Sequence, residues 1–108
     1  SAPADLVATA LALTARSVAD AIERFVPQRL DRVIASGGGV HNAALMRALA
    51  DALPCPLETT AAYGLDPDAK EAVLFALLAH EWANGVRTGL PAVTGASGAA
   101  MQGALYLP

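Results

Sequence analysis

Ser36-Gly37-Gly38-Gly39-Val40-His41-Asn42 is the stretch whose residue types and spacing could do chemistry. Consecutive glycines let a backbone turn sharply and let a ligand reach main-chain atoms without meeting a Cβ. Asn42 can cap a helix that begins behind it, and the first N–H groups of such a helix carry partial positive charge. Together these features can hold a nucleotide; they can also form a tight joint between a strand and a helix. The run is neither GxxxxGK[ST] nor GxGxxG, and no lysine directly follows it. A grip on β- and γ-phosphates through a lysine is therefore not expected. A main-chain platform for a nucleoside or an α-phosphate fits better. Asn42 reads first as the helix cap, and it can be cap and ligand at once.

Glu71 is the next residue of interest. It sits early in a helix that then turns apolar nearly all round. A carboxylate there either answers the helix dipole or stands at the ligand-facing edge of a sheet. Lys70 beside it reads as a solvated charge. His80-Glu81 begins as an HExxH zinc motif does, but Asn84 stands where the second histidine must be. Two histidines and one cysteine at unrelated spacings make no metal site. His41 reads as an exposed loop residue, and Ser36 lacks the GxSxG elbow of a nucleophile. Thr94-Gly95-Ala96-Ser97-Gly98 reads as a small polar turn. The residues describe a nucleotide-binding module with no catalytic group of its own.

The elements that must position these residues can be read from the pattern. Asp5 to Phe25 reads as a helix capped by Asp5, with Val7, Leu11, Thr14, Val18, Ile22 and Phe25 near one stripe. Asp20 and Arg24 are spaced to pair at i, i+4. Arg32 to Ser36 reads as a strand, Asn42 to Leu53 as a helix with Leu45, Met46, Leu49 and Leu53 inward, and Leu57 to Thr60 as a second strand. Short joints make the two strands parallel neighbours with a right-handed crossover. A third helix starts at Asp66-Pro67 and stops at Asn84-Gly85; its apolar run Ala72 to Ala79 predicts a place between two layers. Residues 85–103 read as an extended loop, with a brief strand at Ala104 to Leu107. The fold class is α/β, with short parallel strands flanked by three helices in a single domain or fragment. One sheet edge lacks a partner, a hint that the chain is part of something larger; a second copy, in a homodimer, is one way to cover that edge.

With 108 residues, more than half of them apolar and few aromatic, the chain is sized for one core of closely packed small side chains. A net charge of −3 without a basic cluster argues against nucleic acid and anionic membranes as partners. No apolar stretch approaches the ~20 residues that span a bilayer. No signal peptide is read at the start, and the single Cys55 fits a reducing cytoplasm.

Several motifs occur together in order. Ser36-Gly37-Gly38-Gly39 with Asn42, Leu45-Met46 and Leu49 resembles the adenosine-side glycine motif of anhydro-N-acetylmuramic acid kinases. Gly64-Leu65-Asp66, Lys70-Glu71-Ala72, Phe75-Ala76 and Leu78-Ala79 resemble that family's next segment. Gly89-Leu90-Pro91-Ala92-Val93-Thr94-Gly95-Ala96 is similar to its LPxVTGA signature, and Gly103-Ala104 with Pro108 to its closing pattern. Ala61 stands near a place where the family often has an acidic residue. The resemblance covers essentially the whole chain, as the C-terminal portion of a roughly threefold longer protein.

The resemblance implies a partial actin-like ATPase (ribonuclease H-like) domain: the C-terminal nucleotide-binding lobe of a two-lobed kinase. It implies ATP and Mg²⁺ as cofactors and 1,6-anhydro-N-acetylmuramic acid as the sugar. The reaction would open the anhydro bridge with water and phosphorylate O6, giving N-acetylmuramic acid 6-phosphate for cell-wall recycling in the cytoplasm. Gly37, Gly38, Gly39 and Asn42 would bind the nucleotide and Glu71 the sugar. The catalytic aspartate would belong to the N-terminal lobe, so the chain alone is expected to be inactive. The alternative readings are a non-catalytic domain of the sugar kinase, Hsp70 and actin superfamily, serving assembly or regulation, and a glucokinase-like sugar kinase.

Overall fold

The computed structural model describes residues 2–106. They divide into two compact units, one running up to Lys70 and the other starting at Glu71. In the first unit, helix α1 (Pro3–Phe25) is followed by strand β1 (Val33–Ala35), a 3₁₀ turn (Gly38–His41), helix α2 (Ala43–Ala52), strand β2 (Leu57–Thr59) and two further 3₁₀ turns (Thr60–Tyr63 and Pro67–Ala69). The strands pair in parallel, with Val33 opposite Leu57, Ile34 opposite Glu58 and Ala35 opposite Thr59. This is the strand–helix–strand order expected from the short joints around the glycines.

α1 packs against α2. Ala15 is 2% exposed and Leu53 8%, with Leu11, Ile22, Leu45, Met46 and Leu49 half-buried. The inward stripe of α1 therefore runs through Leu11, Ala15 and Ile22, whereas Val7, Thr14, Val18 and Phe25 are exposed. The reason is the close approach of two helices, which an alanine at the contact permits. The start of α1 also differs from expectation. Ala2 is the cap residue, Pro3 takes the first helical position, and Asp5 Oδ2 accepts the Ala2 N–H at 3.2 Å. Asp5 thus supports the cap from the third helical position. Asp20 pairs with Arg16 (3.2 Å) rather than Arg24; the Arg24 guanidinium lies 5.3 Å from the centre of the Phe25 ring.

In the second unit, α3 (Lys70–Ala83, its first residue contributed by the first unit) precedes a single helical turn, α4 (Pro91–Thr94). α3 ends as expected at Asn84-Gly85, with Gly85 at φ +70°. The predicted place between layers is not found: Phe75 is 66% exposed, and Val73, Leu74 and Leu77 are exposed too. A helix apolar on every side needs apolar elements on several sides, and residues 84–106 supply only one helical turn. α4 itself corrects the reading of residues 85–103 as extended. Ala104–Tyr106 form no strand, since a strand persists only where another pairs with it and the second unit has none among the described residues. Leu107, which closed that predicted strand, lies outside the described residues. Among the described residues, no helix is long and apolar enough to cross a membrane.

Candidate functional site

The glycines lie just beyond the C-terminal end of β1, the edge of a parallel sheet at which α/β folds bind ligands. Of the three glycines, only Gly37 is required by the backbone. Gly37 has φ +92°, a backbone state that side chains disfavour. At Gly38 an added Cβ would meet nothing within 4 Å, so the fold itself leaves room there. At Gly39 a Cβ would touch Leu45 Cδ2 at 3.7 Å, an ordinary contact. Gly38 and Gly39 are exposed, and among the described residues neither N–H donates to a protein acceptor.

Behind the loop, Asn42 is the cap that its type suggested. Its Oδ1 accepts the N–H groups of Ala44 and Leu45, each at 3.1 Å. With that oxygen engaged, the Asn42 amide nitrogen is the end of the side chain that can turn toward a ligand.

The loop is fastened to chain far along the sequence. The Gly37 N–H donates to the Pro67 carbonyl at 3.0 Å, and Pro67 is buried. Ser36 Oγ and Thr60 Oγ1, at the ends of the two strands, share a 3.1 Å hydrogen bond. His41 Nε2 reaches both oxygens of Asp68, at 2.9 and 2.8 Å. The Asp66 carboxylate caps the turn by accepting the Asp68 N–H at 2.9 Å. His41 is thus a clasp between the glycine loop and the 66–68 turn, a role that its loop position alone did not reveal. Lys70 is exposed, as a solvated charge is, and its Nζ lies 3.9 Å from where a Cβ on Gly37 would stand.

The remaining candidates follow Lys70 along α3 and beyond. Glu71, exposed, is in the first turn of α3 and belongs to the second unit. Further along α3, His80 Nδ1 meets Glu81 Oε1 at 3.1 Å, and Asn84 Nδ2 donates to the His80 carbonyl at 2.8 Å. Thr94 Oγ1 donates to the Leu90 carbonyl at 3.0 Å, closing the turn before Gly95. No group of three or more His, Cys, Asp or Glu among the described residues could hold a metal ion.

At the other edge of the strands a cleft of about 870 Å³ is lined by Asp20, Arg29, Asp31, Asp51 and Cys55, among others. Its walls carry both signs of charge and it lies away from the glycine loop. Nearby in sequence, Arg32 Nη1 donates to the Tyr63 hydroxyl at 2.8 Å, and the Tyr63 hydroxyl donates to Glu58. The bond to Tyr63, with the negative potential of Tyr63 and Glu58, raises the pKa of the Arg32 guanidinium above its ordinary value. An arginine is charged at any physiological pH, so this group pins Tyr63 without introducing a pH switch.

The parallel strand pair thus carries an exposed, anchored glycine loop at its C-terminal edge, with a capped helix behind it. The sequence model of the family described as "Anhydro-N-acetylmuramic acid kinase" matches residues 1–108, and the chain belongs to that family. Similar proteins named anhydro-N-acetylmuramic acid kinase include that of Salinibacter ruber, 51% identical over 109 residues, covering 98% of this chain and 28% of the relative. Those of Xanthomonas axonopodis pv. citri (51% identity, 95% of this chain, 28% of the relative) and Pseudomonas syringae pv. syringae (42%, 97% and 29%) are also similar. The chain spans a little over a quarter of the length of the relatives it matches.

Proposed function

We propose that the chain is the C-terminal, ATP-binding part of an anhydro-N-acetylmuramic acid kinase with an actin-like ATPase fold. The observation that carries the reading is the anchored, exposed glycine loop, open above Gly38, at the C-terminal edge of the parallel strands. The closing motif Gly103-Ala104 with Pro108, which resembles the family's closing pattern, is what supports the assignment to the C-terminal part. Gly37, Gly38 and Gly39 hold the adenosine and α-phosphate, Asn42 orders the loop and the helix behind it, and Glu71 hydrogen-bonds hydroxyls of the sugar. Mg²⁺ arrives with the nucleotide. The intact cytoplasmic enzyme opens the 1,6-anhydro bridge with water and transfers the γ-phosphoryl group of ATP to O6 in cell-wall recycling.

Phosphoryl transfer depends on positioning and electrostatic stabilisation. The groups on this chain position a nucleotide, and the base that activates water belongs to the N-terminal lobe. The chain alone therefore transfers no phosphoryl group. The test is sugar-dependent ADP release by the chain, alone and joined to that lobe. Turnover only when joined is expected, and turnover by the chain alone contradicts the division of labour. In the joined protein, Glu71→Ala raises the sugar KM; an unchanged KM and kcat would instead favour a non-catalytic role.

A further inference from the structure

We propose that Lys70 supplies the counter-charge that makes the glycine loop prefer phosphorylated nucleosides over adenosine. This rests on the nucleotide-platform reading above and names which part of the ligand the site pays attention to. The phosphate loops that use a lysine carry it directly after their glycines. Here no lysine follows the glycines, and the ammonium comes from 33 residues further along the chain. Lys70 is the only lysine in the sequence. Its Nζ stands 3.9 Å from the position of a Cβ on Gly37.

That placement is held by the backbone. The Gly37 N–H to the Pro67 carbonyl and the His41–Asp68 pair fix the turn that carries Lys70 against the loop. Of the acids flanking Lys70 in the sequence, Asp68 is engaged by His41 through both of its oxygens, and Glu71 is exposed. None of the ion pairs among the described residues includes Lys70. The chain carries a net charge of −3, so a polyanionic ligand approaching the loop needs a local cation. An ammonium offers nothing to the uncharged nucleoside and a charge-assisted hydrogen bond to a phosphate oxygen. The inference is therefore one of selectivity between ligands that share the same base and ribose.

The experiment is a calorimetric titration of the full chain, and of its Lys70→Met variant, with Mg·ATP, ADP and adenosine at low salt. Lys70 is exposed, and removing it leaves the loop's anchoring bonds in place. The expected result is a roughly tenfold loss of ATP and ADP affinity in Lys70→Met with adenosine affinity unchanged, and recovery of most of that loss in Lys70→Arg. ATP binding equal to wild type in Lys70→Met would overturn the role of Lys70 while leaving the platform standing. Failure of the wild-type chain to bind either ATP or adenosine would overturn the platform, and Lys70's role with it. A second readout uses the single lysine: labelling with pyridoxal phosphate and borohydride, read by peptide mapping. ATP should shield Lys70 and adenosine should not; equal labelling under both contradicts the proposal.

Discussion

Two stretches of the chain are rich in glycine, 37–39 and 95–103, and both contain glycine at positive φ: Gly37 at +92° in the first, Gly95 at +74° and Gly103 at +107° in the second. By composition they look alike. In the structure, the first is anchored by Gly37 to Pro67, by Ser36 to Thr60 and by His41 to Asp68, and a capped helix stands behind it. The second is held by local turn bonds at Thr94 and Gly95 and by one backbone bond, from Gly89 to the Ala100 carbonyl. Under the proposed function, the run that serves as a binding platform is the one that long-range bonds fix and a helix start backs. Glycines alone supply only conformational freedom.

Substitutions can break or sharpen that contrast. The largest effect is expected at Gly37. Gly37→Val forces a β-branched residue into positive φ and should cost about 1–3 kcal/mol in urea unfolding, together with the loss of nucleotide binding. Gly95→Ala meets the same strain in an open turn and should cost about 1 kcal/mol without changing nucleotide affinity. If the two had the same effect on binding, the distinction between the stretches would fail. Next comes Asn42→Ala, which removes the acceptor for two helix N–H groups and should cost about 1 kcal/mol. Faster amide exchange at Ala44 and Leu45 would be the local signature. Ser36→Ala removes the bond to Thr60 and should cost about 0.5–1 kcal/mol, measured by the same unfolding. The smallest effect belongs to Thr94→Val, whose lost bond is exposed; it should stay within about 0.5 kcal/mol.

What could be read from the sequence follows the range of the interactions. The Asn42 cap, the stop at Gly85 and the inward face of α2 are decided within a few residues, and their residue types announce them. The parallel strand pair follows from short joints around a helix. The α1 stripe was less legible, because that helix carries apolar residues on more than one face, and the buried contact falls on Ala15 rather than on Val18 or Phe25. Asp20 has an arginine four residues away on either side, and spacing alone does not choose between Arg16 and Arg24. The bonds that build the site were beyond local pattern. His41 meets Asp68 and Ser36 meets Thr60 across 27 and 24 residues, and Lys70 Nζ comes near the backbone of Gly37 from 33 residues away. The apolar surface of α3 was legible, and its exposure was not, because exposure depends on what lies beside a helix.

Gly38 tests the central claim most directly, because a Cβ there meets open space within the fold and stands where a ligand would approach. The measurement is the affinity of wild type and Gly38→Val for adenosine and Mg·ATP, with circular dichroism to compare their helix content. The account predicts that wild type binds both ligands, and that Gly38→Val keeps the same helix content while losing both. Unchanged binding by Gly38→Val would contradict the claim that this loop is where the nucleotide lies.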